Sequence, residues 1–124
     1  MQHDRLTIIL PWPDSRLMPN RKNGRHWGGT QEAKVRARQD GYFAALASLN
    51  GSKWPSDEKT HVRITYVEPN RIKRDLDNLL AASKHFLDGI AQALGVDDSR
   101  FCPITVDRAL DTMKQGFVKV EIQL

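Results

Sequence analysis

The chain has 124 residues, of which 40% are hydrophobic and 27% are charged, with a formal net charge of +4 and a pI of about 9.5. This length predicts a single domain over residues 1–124, and the composition excludes a disordered chain. The basic excess favours an acidic partner, most commonly nucleic acid. The single cysteine, Cys102, excludes an intrachain disulfide and a cysteine-based zinc site, and it favours a reducing cytoplasm.

The first half of the sequence predicts a strand, a loop and a helix. Residues 5–10 (RLTIIL) are rich in β-forming side chains and are followed by prolines, so they predict a strand. This apolar run is too short for a signal peptide or a membrane span, and we expect no membrane association. Residues 12–30 predict a long basic loop, and residues 31–49 predict a helix. The buried stripe predicted for this helix is Val35, Tyr42, Phe43, Leu46 and Leu49.

The second half predicts a strand, a helix and two more strands. Residues 61–67 alternate between apolar and polar, residues 78–94 have helical periodicity, and Gly95 ends the helix. Strands near residues 104–110 and 117–124 are predicted to form a hairpin. The order β-α-β-α-β-β predicts an α/β (α+β) two-layer fold, a small mixed sheet of about four strands packed with two main helices. The buried face predicted for the second helix is Leu79, Ala82, Phe86, Ile90, Ala93 and Leu94.

Two pairs of aspartates flank the second predicted helix. Asp75 and Asp77 stand in the stretch RIKRDLDNLL, where Asp77 is a candidate N-cap, and Asp97-Asp98 follows Gly95. Carboxylates from separate segments are the oxygen ligands that Mg²⁺ prefers. A helix of seventeen residues spans roughly 25 Å, so the two pairs meet only if the chain folds back or the helix is shorter. The alternative is a surface ion pair of Asp75 with a neighbouring basic residue.

Lys84 is the basic residue that shares a helical face with the acidic segment. Asp77, Ala81, Lys84 and Asp88 line one face of the predicted helix, and the small Ala81 leaves space for the lysine. The alternative is an ordinary Lys84–Asp88 ion pair one helical turn apart. The sequence has no HExxH zinc motif, no phosphate-binding glycine loop and no defensible Ser-His-Asp arrangement.

The stretches KRDLDNLL, LDGI and LGVDDSRF resemble the RusA family of Holliday junction resolvases. The N-terminal LPWP, the Pro19-Asn20 step and the basic loop with His26-Trp27 are also similar, so the resemblance covers nearly the whole chain. It implies a small α/β homodimer that binds four-way junction DNA and nicks opposed strands in a Mg²⁺-dependent reaction, with Mn²⁺ as a possible substitute and no small-molecule cofactor.

The resemblance also implies the residues that carry this activity. The essential aspartates, which are the expected metal ligands, match Asp75, Asp77 and Asp98, although Asp97 is an alternative to Asp98. The catalytic lysine matches Lys84 by its spacing to Asp88. The sequence departs from the founding member here, because about three more residues separate DLDN from the lysine, which would place the equivalent position at Ala81.

The basic residues near this motif are expected to contact DNA phosphates, which gives salt-dependent affinity with little sequence preference. For each of them the alternative is an ordinary solvated side chain. Trp27 and Trp54 are expected to pack in the core rather than touch DNA. The residues expected to bind nucleic acid are Arg16, Arg21, Lys22, Arg25, Lys73 and Arg74.

Two other functions stay open from the sequence. One is a junction-binding protein that keeps the fold without catalysis, which the intact DLDN and Asp97-Asp98 motifs argue against. The other is a metal-dependent phosphoesterase that uses Asp-x-Asp on another substrate, and the long basic loop argues against that.

Overall fold

The computed structural model describes residues 4–19, 27–55 and 58–124. Within these ranges a four-stranded mixed sheet packs with three α-helices, which confirms the predicted two-layer fold. No helix in these ranges is both long and apolar enough to cross a membrane. The strands are β1 (Arg5–Pro11), β2 (Thr60–Glu68), β3 (Phe101–Leu110) and β4 (Phe117–Gln123), and the helices are α1 (Trp27–Leu49), α2 (Leu76–Ala82) and α3 (Lys84–Leu94).

The strand order in the sheet is β1-β4-β2-β3. β4 pairs antiparallel with both β1 and β2, and β3 pairs parallel with β2. The hairpin predicted for the last two strands is therefore wrong, because β2 lies between them. Pro11 is the last residue of β1, as expected, and Pro69 directly follows β2. The first two strands and the last one lie within two residues of their predicted bounds.

The connection between β3 and β4 crosses the end of β2. The Asp111 N–H donates to the Glu68 carbonyl at 2.7 Å, and Gly116, with φ +78°, lies against the Pro69 ring. The Asp111 side chain is buried and accepts three backbone N–H bonds within the connection, which lower its pKa. A short connection can therefore pass over a strand that a proline has ended.

The core lies between one face of the sheet and the helices. Trp54 packs there and donates its indole N–H to Thr60 Oγ1 at 3.3 Å, which confirms its predicted packing. The Trp27 side chain lies outside the described residues. Alternate residues of β1, β2 and β4 are buried, which confirms the alternation predicted for β2: Leu6, Ile8, Leu10, Val62, Ile64, Tyr66, Val118, Val120 and Ile122.

The stripe predicted to be buried on α1 is wrong apart from Leu49. Val35, Phe43 and Leu46 are 41%, 63% and 39% exposed, and Tyr42 is only partly buried. Large apolar side chains thus mark the outer face of this helix. The face that meets the core carries small residues at a spacing of four: Ala33, Ala37, Gly41 and Ala45.

Close crossing of α1 and α3 explains these small residues. A Cβ on Gly41 would lie 2.2 Å from the carbonyl oxygen of Phe86, and a Cβ on Gly89 would lie 2.0 Å from that of Arg38. The two backbones are therefore in direct contact at the crossing. No larger side chain fits there without moving one helix away from the other.

The helix predicted over residues 78–94 is two helices that meet at Ser83. Ser83 is buried, its Oγ donates to the Leu79 carbonyl at 2.8 Å, and it accepts from the Tyr66 hydroxyl at 2.9 Å. A serine bonded back to the preceding turn bends a helix, and Tyr66 holds it there. The predicted buried face is otherwise confirmed for Leu79, Ala82, Phe86, Ile90 and Leu94, whereas Ala93 is partly buried.

Candidate active site

One cavity of about 480 Å³ gathers charged residues from three segments, and we call it the acidic cavity. Its charged lining is exposed or half-buried, whereas Leu87 and Phe101 are buried and form its apolar floor. Three carboxylates and one ammonium thus face a shared apolar space. The lining residues are Asp77, Leu80, Ala81, Lys84, Leu87, Asp88, Asp98, Phe101 and Ile104.

Helix geometry brings Asp77 and Lys84 to the same cavity. Asp77 lies in the first turn of α2 and Lys84 is the first residue of α3, on either side of the joint at Ser83. Ala81 and Asp88 line the same cavity, as the shared helical face predicts. Asp88 lies beside His85, with 3.8 Å between Nδ1 and Oδ2, and among the described residues it forms no ion pair with Lys84.

The two residues of the Asp97-Asp98 pair have different roles in the structure. Asp97 caps a short 3₁₀ turn (Asp98–Arg100) by accepting from the Ser99 N–H at 2.9 Å, and this bond lowers its pKa. Asp98 lines the acidic cavity. A hydrogen bond shared with Asp97 raises the pKa of the exposed Asp98, desolvation and repulsion from Asp97 and Asp88 add to this, and Lys84 opposes it. Asp98 is therefore the member of the pair that faces the other charged groups.

Asp75 does not line the acidic cavity. It occupies the N-cap position of α2 without a side-chain capping bond, so the prediction that Asp77 caps this helix is wrong. Asp75 lines a neighbouring cavity, also of about 480 Å³, together with Met18, Lys73, Arg74, Asn78 and Leu79. The part of the chain that the structure describes contains no group of three His, Cys, Asp or Glu side chains already placed to hold one metal ion. The set Asp75, Asp77 and Asp98 stays a prediction.

His85, which lies beside the cavity residue Asp88, is not among the residues that the sequence assigns to the site. His85 Nδ1 is buried and has no hydrogen-bond partner among the residues that the structure describes. Burial lowers the pKa of His85, Asp88 raises it, and the charges of Lys34, Arg38 and Lys84 lower it. Two basic residues of α1, Lys34 and Arg38, are therefore near enough to His85 to act on its pKa. The spacing of His85 and Asp88 by three residues was the available signal for their contact.

The residues expected to bind nucleic acid have different surroundings. Arg16 forms a two-pronged ion pair with Asp14, with a shortest distance of 2.8 Å. Lys73 is exposed, whereas the Arg74 guanidinium is engaged in several contacts within the chain. The remaining three, Arg21, Lys22 and Arg25, lie outside the described residues.

No protein-family model matches the chain. The chain is 39% identical over 98 residues to an uncharacterized protein of Xylella fastidiosa (strain Temecula1). The aligned part is 77% of this chain and 61% of the Xylella protein, so the chain spans less than two thirds of that relative's length.

Proposed function

We propose that the chain is a Mg²⁺-dependent, structure-selective endonuclease of the RusA type, which acts in the cytoplasm as a homodimer and resolves four-way DNA junctions by paired nicks. The observation that supports this best is the acidic cavity, in which Asp77, Asp98 and Lys84 meet. Carboxylates beside a lysine suit hydrolysis of a phosphodiester, since the reaction needs cation ligands and a positive charge for the phosphate.

The donor set of the cavity fits a magnesium ion. Asp77, Asp88 and Asp98 offer carboxylate oxygens, the ligand type that Mg²⁺ prefers. Repulsion from neighbouring carboxylates helps to raise the pKa of Asp98, and a bound cation would offset that repulsion. Asp77 and Asp98 would hold the ion, and the resemblance implies Asp75, which does not line this cavity, as a third ligand. The chemistry that bound Mg²⁺ supplies is polarisation of the phosphoryl oxygen and a lower pKa of the attacking water.

The basic residues bind and orient the DNA in this proposal. Lys84 stabilises the negative charge that develops on the scissile phosphate and offsets the repulsion between that phosphate and the carboxylates. The exposed Lys73, beside Asp75, contacts a phosphate next to the one that is cut. Lys34 and Arg38 of α1 extend the positive surface on the α3 side. Such contacts position DNA without reading its sequence.

A four-way junction has approximate two-fold symmetry, and a two-fold homodimer would present one active site to each of two opposed strands. Sedimentation equilibrium tests this part directly. The proposal predicts the mass of two 14.1 kDa chains, and a single-chain mass at every concentration up to that of the cleavage assay would contradict it.

The experiment for the activity uses a labelled synthetic four-way junction with the wild type and with Asp77→Asn. We expect paired nicks only for the wild type with Mg²⁺ or Mn²⁺, and loss of cleavage with EDTA while junction binding persists. Binding without cleavage by the wild type would favour the non-catalytic function. Absence of both, with hydrolysis of small phosphodiesters instead, would favour the other phosphoesterase.

A further inference from the structure

The Arg74 guanidinium holds together the segment that precedes the acidic motif. Its Nη1 donates to the Ile72 carbonyl at 3.1 Å and to the Asn70 carbonyl at 3.4 Å, and its Nη2 donates to Asn70 Oδ1 at 2.8 Å. Asn70 Oδ1 also accepts the Ile72 N–H at 3.1 Å. These bonds close residues 70–74 into a compact turn around one side chain.

The same guanidinium fixes this turn to the body of the protein. It pairs with Glu68, the last residue of β2, at 3.4 Å, and the Glu68 side chain is only 11% exposed. It also lies over the Trp12 ring, with Cζ 5.3 Å from the centroid, and Trp12 contacts the buried Tyr66 edge-on. Arg108 of β3 donates to the Arg74 carbonyl at 2.9 Å. Residues from three strands or their ends therefore converge on Arg74.

We propose that Arg74 is a positioning residue that places Asp75 and the first turn of α2, and that it is not primarily a phosphate contact. The proposal rests on the function proposed above, since Asp75 belongs to its expected catalytic set. The Arg74 side chain is 18% exposed, and a phosphate would have to displace a buried carboxylate and two backbone carbonyls to reach most of its donors. Asp75, the N-cap residue of α2, directly follows Arg74 in the chain. If the turn of residues 70–74 opens, the position of Asp75 is therefore no longer fixed.

Lys73 provides the matched control, because it is adjacent in sequence, basic, and exposed. The experiment compares Arg74→Gln, Arg74→Lys and Lys73→Gln for junction binding across a salt series and for single-turnover cleavage. For Lys73→Gln we expect weaker binding and a salt slope reduced by about one. For Arg74→Gln we expect a fall in the cleavage rate of about 10²-fold, with binding within about twofold and an unchanged slope, because small misplacements of catalytic groups reduce rates by this factor.

Arg74→Lys separates charge from geometry. Lysine keeps the charge but lacks the planar set of donors, so we expect it to restore no more than about a tenth of the lost rate. Two signals report on the turn without DNA: hydrogen exchange of the Leu79 amide, which donates to the Asp75 carbonyl, and the Trp12 indole resonance. We expect faster exchange of the Leu79 amide and a shifted Trp12 resonance in both Arg74 variants. Neither signal should change in Lys73→Gln.

Three results would overturn the proposal. The first is that Arg74→Gln weakens junction binding and lowers its salt slope while the Leu79 exchange rate and the Trp12 resonance stay unchanged. The second is that Arg74→Lys cleaves as fast as the wild type, and the third is that Arg74→Gln does not change the cleavage rate. If the wild type neither binds nor cleaves junctions, the proposed function fails. The Leu79 and Trp12 signals then still decide whether Arg74 holds the turn, and unchanged signals would refute that role as well.

Discussion

The crossing of α1 and α3 at Gly89 sets two physical effects against each other. In a free helix, Gly→Ala stabilises by about 0.5–1 kcal/mol, because alanine loses less backbone entropy on folding. Here a Cβ at Gly89 would lie 2.0 Å from the Arg38 carbonyl oxygen and 2.8 Å from the Tyr42 nitrogen, and both are backbone atoms. Since real contacts of this kind stay above 3.0 Å, α1 has to move away by about 1 Å.

The net effect of Gly89→Ala follows from these two terms. The clashing atoms belong to the α1 backbone, which cannot change rotamer as a side chain can. Overpacking of this kind should destabilise the fold by about 3 kcal/mol, at the upper end of the usual range. After the gain in helix propensity, the free energy of unfolding falls by about 2 kcal/mol. For a chain of this size that corresponds to a Tm lower by about 6–10 °C.

Urea unfolding followed by circular dichroism measures this change. The control is Ala47→Gly on the exposed face of α1, which we expect to lose about 0.5–1 kcal/mol through propensity alone. A Gly89→Ala protein that is as stable as the wild type, or more stable, would refute the close crossing. The crossing matters for the site because α3 carries Lys84 and Asp88.

Two further predictions concern single side chains. Burial raises the pKa of Tyr66 from 10.0 to about 12. The protonated Tyr66 hydroxyl therefore contributes fully to stability below pH 10, and this contribution is lost as the pH rises towards 12. Up to about 2–3 kcal/mol of the free energy of unfolding should disappear over this pH range. Tyr66→Phe should reduce stability at pH 8 by about 1 kcal/mol through loss of the Ser83 bond and should flatten the alkaline decline, and an equally steep decline would contradict the assignment. Lys84→Met should lower junction cleavage by about 10²–10³-fold with little change in binding. It should also raise the pKa of Asp98 further, which a carbon-detected NMR titration of the carboxyl groups measures without any cleavage; an unchanged titration would place Lys84 away from Asp98.

Local patterns in the sequence predict the strands and the second helical region because burial follows the side-chain period. Val62, Ile64 and Tyr66 alternate in sequence and are all buried. The same reasoning fails on α1, since the core there selects Ala37, Gly41 and other small residues that hydrophobicity does not mark. Close backbone contact with α3 is a tertiary constraint, and it overrides the apolar stripe.

Long-range arrangement is the part that the sequence does not provide. The six residues between β3 and β4 have a length typical of a hairpin, yet they cross β2 where Pro69 ends it. The helix joint at Ser83 depends on the Tyr66 hydroxyl, which comes from a distant strand. Helical spacing does predict a shared side for Asp77, Lys84 and Asp88, and all three line the acidic cavity although the helix is divided at Ser83.

The central claim is that the carboxylates of the acidic cavity carry the cleavage reaction. A comparison of Asp97 and Asp98 tests it most directly, because the two residues are adjacent and only Asp98 lines the cavity. Single-turnover cleavage of a four-way junction in Mg²⁺ is measured for Asp97→Asn and Asp98→Asn. Asparagine also caps a helical turn, so the cleavage rate of Asp97→Asn should stay within about tenfold of the wild type. Asp98→Asn removes a carboxylate from the acidic cavity and should abolish the paired nicks while the junction is still bound. Equal activity of Asp98→Asn and the wild type would contradict the proposed active site.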